Sequence, residues 1–260
     1  MIPIRDLNPA SRRPWLTYGI IAVNVAVWLV EVVIEVDGGD EALQSFIWRH
    51  GLVPGLAVPP VSLASLGTFV THLFVHGGWM HVIGNMWFLF VFGDNLEDRL
   101  GRVRFFAFYL ACGLAAAFAQ TAIQYATGPA GAPQCLALAH DPRCVPMVGA
   151  SGAIAGVLAG YVTLFPRARV LTLIPIFVFI QFAEIRAVFF VVIWFGYQLL
   201  MGFSSLGGRG SGVAFFAHIG GFVAGLALIH LFKPRAPRPN PTDGFQPPPR
   251  IRMRRPDDGW

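Results

Sequence analysis

Five long stretches of this chain carry almost no charge. They are residues 17–36, 105–126, 148–165, 187–203 and 212–232. Each approaches or exceeds the roughly 17 apolar residues that an α-helix needs to cross a bilayer, with Glu31 and Glu35 at the outer end of the first. A sixth stretch, residues 79–93, is shorter and follows a polar turn. Because only 13% of the residues are charged, the sequence predicts an all-α integral membrane protein.

The basic residues indicate which stretches cross the bilayer. Residues 170–183 are also apolar, but they include Pro175 and Gln181 and favour an interfacial or re-entrant segment. Arginines precede the first span and a basic tail follows the last, so we expect cytoplasmic termini and an even number of spans. Six spans place 16 of the 19 basic residues on the cytoplasmic side. The net charge of +5 is then explained by the orientation of the chain in the membrane, and no nucleic-acid partner is expected.

The chain is predicted to have three parts. Residues 1–14 form a cytoplasmic segment, residues 15–232 a six-helix bundle, and residues 233–260 a basic, proline-rich cytoplasmic tail whose composition predicts disorder. A large first extracytoplasmic loop, residues 37–66, carries apolar and aromatic residues that favour the membrane interface. The expected location is the inner or plasma membrane of a bacterial cell, as a multi-pass protein surrounded by lipid.

Two of the three cysteines lie in one extracytoplasmic loop. Cys135 and Cys144 are nine residues apart on the side expected to be oxidising. A disulfide and two free thiols are about equally favoured there. Cys112 lies within the third span.

Three spans carry polar residues near the same end. Spans two, four and six run in the same direction, and His81, Ser151 and His218 each lie near the start of one of them. Asn85 follows His81 by four residues and shares its helix face. Serine is a weak nucleophile until a base takes its proton, and histidine is the usual base. Since no carboxylate is expected at this depth, the pattern predicts a serine–histidine dyad, with His81, Asn85 and the Ser151 N–H as oxyanion donors.

Glycines at four-residue spacing favour close packing of spans four and six. Such stripes let two helix backbones approach each other. Packing through them would bring Ser151 and His218 within hydrogen-bond reach. The stripes are Gly152, Gly156 and Gly160 on span four, and Gly221 and Gly225 on span six.

Each polar residue also has a purely structural interpretation. A serine beside glycine in a membrane helix is usually a packing residue, and a buried asparagine usually bonds a neighbouring helix. A lone histidine is structural or metal-bound about as often as catalytic. His72 and His76 are expected to anchor a loop or tune hydration, and a metal site made by them with His81 is disfavoured because no carboxylate or cysteine converges there. The shared depth of the residues favours chemistry, with no metal and no cofactor.

Several separated motifs resemble those of one protein family. They are HGGWMHVIGN at residues 76–85, the turn at residues 92–101, GASG at residues 149–152, and AHIGG at residues 217–221 followed by Gly225. In this order, over residues 14–232, the chain resembles the rhomboid intramembrane serine proteases of the compact six-span bacterial type.

The resemblance implies a role for each of the polar residues. Ser151 would be the nucleophile, His218 its base, and His81 and Asn85 the oxyanion donors. It also implies that the substrates are membrane proteins, cut in or near a transmembrane segment that must unwind locally.

The chain departs from the family pattern at two places. Residues 65–69 stand where many members carry a tryptophan–arginine pair. Ala155 stands where some members place a tyrosine that stacks on the catalytic histidine.

Two other functions compete with proteolysis. A non-catalytic relative that binds or escorts membrane proteins would share the fold, but it should have lost Ser151 or His218. A transporter or channel would normally place polar groups through both leaflets, whereas here they stop near the outer half. The sequence therefore favours the protease.

Overall fold

Helices dominate the architecture, because a backbone in lipid must satisfy its own hydrogen bonds. The computed structural model describes residues 1–8, 10–57, 63–133, 135, 141–176, 179–205 and 214–232, so the predicted tail at residues 233–260 lies outside the described residues. The described α-helices are α1 (Trp15–His50), α2 (Leu63–Thr71), α3 (Trp79–Leu100), α4 (Arg102–Thr127), α5 (Ser151–Leu164), α6 (Ala187–Ser205) and α7 (Phe215–Leu228). Three strands, β1 (Ile2–Asp6), β2 (Arg169–Ile176) and β3 (Phe179–Arg186), form an antiparallel sheet in that order.

Three of the described helices are long and apolar enough to cross a membrane. They are α1, α4 and α6. Helices α5 and α7 are apolar but only 14 residues long. The fold is thus a mostly helical membrane bundle.

Part of the predicted first loop is helical. Helix α1 continues to His50 and bends at Gly39, whose φ of 71° lies in the left-handed region. Residues 40–46 include several good helix formers, which explains why the helix resumes after the bend. Ile47, predicted to lie in a loop at the membrane interface, is instead a buried helical residue.

Residues 170–176 and 179–183, predicted as an interfacial or re-entrant segment of an all-α protein, lie in two paired strands. Strands β2 and β3 pair along their length, with Thr172 opposite Ala183. Strand β1 from the amino-terminal segment pairs with β2 on the other side. The side chain of Asn95 donates to Asp6 (2.5 Å), which joins the sheet to the end of α3, and burial raises the pKa of the Asp6 carboxyl.

The charged turn predicted at residues 94–101 is the end of a helix. Helix α3 runs through Leu100, and Gly101 alone separates it from α4. Gly101 has a φ of 78°, which a side chain would rarely adopt. The carboxylate of Glu97 accepts from Thr17, through its hydroxyl at 2.8 Å and its N–H at 2.7 Å, and so ties this end of α3 to α1.

Helices α4, α5 and α7 form the centre of the bundle, and glycines set their spacing. A Cβ on Gly221 would overlap the carbonyl oxygen of Gly152, and one on Gly225 would lie 2.5 Å from the carbonyl oxygen of Gly156. On its other side Gly156 contacts Cys112 of α4. The predicted glycine stripes therefore meet, except that Gly160 packs against the side chains of Phe108, Leu96 and Ile229.

Candidate active site

Ser151 and His218 meet where α5 and α7 begin. Ser151 is the first residue of α5, and His218 lies in the first turn of α7. The Ser151 Oγ and the His218 Nε2 are 2.7 Å apart, within hydrogen-bond distance. The backbone contact between Gly152 and Gly221 lies next to both residues, so it brings their side chains within reach.

The other ring nitrogen of His218 contacts α6. The Gln198 Oε1 lies 2.7 Å from the His218 Nδ1, and the Gln198 side chain is buried. The Trp194 ring, one helical turn earlier, lies 5.9 Å from the imidazole, centroid to centroid. Sequence reasoning missed both residues. They hold the histidine, whereas Ala155, four residues after Ser151, is small and buried.

A side chain also fixes the start of α7. The Ala217 N–H donates to the Oε1 of Gln120 on α4 at 3.1 Å. The same N–H also lies 3.1 Å from the backbone oxygen of Ala214, so it is shared between its own turn and α4. The bond to Gln120 holds the turn that carries His218 against α4.

His81 and Asn85 of α3 lie against the loop that precedes Ser151. A Cβ placed on Gly149 would stand 2.5 Å from the His81 Nε2 and 3.2 Å from the Asn85 Nδ2. The Gly149 N–H donates to the backbone oxygen of His72 at 2.8 Å, which anchors this loop. The Asn85 Nδ2 is buried and has no hydrogen-bond partner among the described residues. Most buried amides are paired, so this donor is available to a substrate.

One carboxylate, that of Glu31, lies close to the loop that precedes α3. Glu31 of α1 is fully buried, and its oxygens accept the His76 N–H at 3.0 and 3.3 Å. The His76 ring stands edge-on to the His81 ring, with centroids 5.2 Å apart. Glu31 thus stabilises the loop before α3 by accepting its backbone N–H. It makes no described hydrogen bond to His218.

His72 and His76 make local contacts. The His72 Nδ1 lies 2.8 Å from the backbone oxygen of Thr68, and the His76 Nδ1 lies 3.1 Å from that of Phe74. Within the described ranges, no three side chains of the metal-ligating types are grouped to hold an ion. These contacts fit the loop-anchoring role that the sequence suggested.

A cavity of about 950 Å³ opens beside the dyad. Its walls include Ser151, His218, His81 and Asn85, together with apolar side chains such as Phe88 and Trp194. Pockets of this size accept ligands as large as a short peptide segment. The site therefore combines a serine hydroxyl in contact with a histidine ring nitrogen and an unpaired amide donor, all beside a largely apolar space.

Residues of the loop between α4 and α5 line one edge of the cavity. Cys135 and Cys144 are joined by a disulfide, whereas Cys112 is a free, buried thiol in α4. Beside it, the Arg143 guanidinium forms a buried two-pronged ion pair with Asp141, the shortest N–O distance being 2.7 Å. Both features hold Cys135 and residues 141–144 together beside the cavity walls.

Comparison with known proteins assigns the chain to a family. The model of the Rhomboid domain matches residues 64–235, more than half of the chain. Presenilin-associated rhomboid-like protein A, mitochondrial, of Danio rerio is 30% identical over 62% of this chain, and its Homo sapiens counterpart is 29% identical over 65%. Rhomboid-like protein 11, chloroplastic, of Arabidopsis thaliana is 24% identical over 60% of this chain. The alignments span 36%, 38% and 44% of these relatives' own lengths.

The predicted location in a bacterial plasma membrane, with cytoplasmic termini, is wrong by this comparison. The matched relatives carry mitochondrial and chloroplastic names and come from eukaryotes. The physical reason for the error is that an asymmetry of basic residues orients a chain in a bilayer without identifying the membrane. The order of motifs, the bundle and the family match agree on one assignment: this chain belongs to the rhomboid family.

Proposed function

We propose that the chain is an intramembrane serine endopeptidase that hydrolyses peptide bonds in or near the transmembrane segments of membrane proteins. The observation that carries the proposal is the 2.7 Å contact between the Ser151 Oγ and the His218 Nε2 at the wall of a large cavity. A hydroxyl and an imidazole so placed form the nucleophile–base pair of acyl-transfer enzymes.

The reaction begins with attack on the scissile carbonyl. The Ser151 Oγ bonds to the carbonyl carbon, while its proton passes to the His218 Nε2. The carbonyl π electrons move to oxygen, which becomes an oxyanion. His218 then gives the proton to the leaving nitrogen, so the carbon–nitrogen bond breaks and an acyl-enzyme remains. Water repeats the sequence on the acyl-enzyme, with His218 again taking and returning the proton, and it frees Ser151.

Three donors are arranged for the oxyanion. The Asn85 amide is buried without a described partner, and the Ser151 N–H lies in the open first turn of α5. The His81 Nδ1 accepts the Gly77 N–H at 3.4 Å, which leaves the proton of a neutral ring on the Nε2 beside Gly149. Preorganised donors of this kind stabilise developing charge without reorganisation.

The proposal includes six spans, formed by α1, α3, α4, α5, α6 and α7. Helix α5 has 14 residues and is therefore about 21 Å long, shorter than a hydrocarbon core of about 30 Å. Ser151, at its first residue, then lies below the membrane surface yet is reachable by water from that end. A substrate segment would have to unwind to present its carbonyl there.

The rival function is that of a non-catalytic protein that binds and escorts membrane proteins. Such a protein needs the cavity but has no need of a Ser151–His218 contact or of free donors beside it. A transporter would need polar groups through the whole membrane, whereas these residues lie at one end of three helices. The geometry favours the enzyme over both.

The test is direct cleavage by purified protein. Detergent-purified wild type is incubated with a panel of single-span substrates, and the products are identified by mass spectrometry. We expect cuts in or near the transmembrane segment that disappear in Ser151→Ala. Binding of substrates without cleavage by a folded wild-type protein would support the escort function instead.

A second assay reports on the nucleophile alone. A serine-reactive fluorophosphonate should label Ser151 and lose the label in both Ser151→Ala and His218→Ala. Labelling at another serine, or unchanged labelling in His218→Ala, would contradict the assignment.

A further inference from the structure

The contact between Gln198 and His218 determines where the imidazole proton lies. The Gln198 Oε1, 2.7 Å from the His218 Nδ1, is an amide carbonyl oxygen and can only accept a hydrogen bond. A neutral ring must therefore carry its proton on Nδ1, which leaves Nε2 bare. The bare Nε2 faces the Ser151 hydroxyl, which is the arrangement that a general base needs.

We infer that Gln198 is a positioning residue that selects this tautomer of His218 and fixes the orientation of the ring. The inference rests on the proposed function. Gln198 stands where a serine hydrolase with a triad would place a carboxylate, and it orients the imidazole without a negative charge. It lies on α6, whereas the two reacting side chains lie on α5 and α7, so the dyad depends on a third helix.

Among the described groups, Gln198 alone contacts the Nδ1 of His218. His81 on α3 is the titratable side chain that acts on His218 across the site. Helices α4, α5 and α6 present Gln120, Ser151 and Gln198 to this turn of α7, and none of them carries charge. Gln120 bonds the backbone of the turn and not the ring. The ring nitrogen Nδ1 therefore has one described partner.

Two substitutions of Gln198 separate positioning from packing. Gln198→Met keeps the length of the side chain and removes the acceptor, so both tautomers become accessible. We expect kcat to fall about tenfold, the worth of one hydrogen bond of about 1.4 kcal/mol, with KM within about twofold of wild type. Gln198→Glu retains an acceptor and adds a charge that stabilises the protonated ring. It should restore most of the lost rate and move the acidic limb of the pH–rate profile to higher pH.

The matched control loosens the same helix pair without touching the ring. Phe195 of α6 stacks on Phe222 of α7 with centroids 4.2 Å apart. Phe195→Leu should lower the melting temperature and leave both kcat and the pH profile near those of wild type. A packing role for Gln198 would make Gln198→Met resemble this control.

The NMR signals of the imidazole nitrogens report the tautomer of His218 without any measurement of enzyme activity. In protein labelled with ¹⁵N-histidine, the His218 signals, assigned by their loss in His218→Ala, should show a proton on Nδ1 in wild type. In Gln198→Met they should show a mixture of tautomers. A wild-type ring protonated on Nε2, or Gln198→Met with unchanged kcat and tautomer, would overturn the inference. Wild type that cleaves no substrate would contradict the proposed protease, and the nitrogen signals would still decide the role of Gln198.

Discussion

Gly149 leaves no room for a side chain beside His81. A Cβ on Gly149 would stand 2.5 Å from the imidazole Nε2, and the residue has a φ of 106°. The loop that delivers Ser151 to α5 therefore passes directly over the two proposed oxyanion donors on α3. This contact fixes the distance between the nucleophile and the donors.

Replacing Gly149 by alanine should damage activity more than stability. The left-handed conformation costs about 1–2 kcal/mol for alanine, and the methyl group displaces His81 and Asn85. We expect kcat to fall at least tenfold, measured with a cleaved substrate, beside a modest fall in melting temperature. Gly19→Ala is the control, since a Cβ there meets nothing within 4 Å. Wild-type kinetics in Gly149→Ala would show that the donors do not act at this loop.

The Ser151→Ala and His218→Ala substitutions should not be additive. Both remove the same step, transfer of the hydroxyl proton during attack, so the double variant should be hardly slower than either single one. Rates of product formation over long incubations measure the residual activity. If the rate loss of the double variant equals the product of the two single losses, the two residues do not act in the same step.

Asn85→Ala should retain residual activity. One donor to an oxyanion is typically worth about 2.7–4 kcal/mol, or roughly 10²–10³ in rate, while the other donors remain. The loss should lie in kcat with little change in KM, because the interaction forms mainly in the transition state. Melting temperature is measured on the same preparation. A loss of activity that follows a loss of stability would assign Asn85 a packing role.

Gly221→Ala should destabilise the bundle. The added methyl would overlap the Gly152 carbonyl oxygen, and overpacking of this kind costs about 1–3 kcal/mol. Thermal unfolding in detergent should show the change. Gly196→Ala on α6, where a Cβ meets nothing within 4 Å, should unfold near the wild-type temperature. Equal stability of the two variants would mean that α5 and α7 do not pack through these glycines.

The disulfide between Cys135 and Cys144 should stabilise the outer loop without affecting chemistry. Closure of a nine-residue loop contributes about 2–3 kcal/mol in the chain-entropy treatment. Cys135→Ser combined with Cys144→Ser should therefore lower the melting temperature and leave kcat unchanged. Alkylation of denatured, unreduced protein should modify only Cys112, with prior reduction as the control. Modification of all three thiols without reduction would contradict the bond.

The contact between Ser151 and His218 could be predicted from sequence because residue chemistry and predicted helix direction pointed to the same residues. Ser151, His81 and His218 each lie near the start of a predicted span, and the three spans were predicted to run the same way, so a shared depth followed from the predicted topology. Gln198 could not be found in this way. A single glutamine in an apolar span is equally typical of a bond between two helices, and its partner lies 20 residues away on another helix.

The misplaced elements have physical reasons as well. Residues 170–183 are a short apolar run with a proline, and periodicity does not separate a buried helix from a strand over that length. Glu31 was placed at the outer end of its span by its position in sequence. Its surroundings depend on the position of the loop that carries His76, and no sequence pattern predicts that position. The strands were missed as segments, whereas the contact of Glu31 depends on how two segments meet.

The contact of Gly152 with Gly221 has a consequence for how the site tolerates change. The separation of nucleophile and base is set by two backbones that touch, and not by the volumes of the side chains around them. Core substitutions elsewhere can therefore lower the stability of the bundle while the distance between the Ser151 and His218 side chains stays the same. As long as Gly152 and Gly221 are kept, substitutions at lipid-facing and core positions should leave the Ser151–His218 distance unchanged.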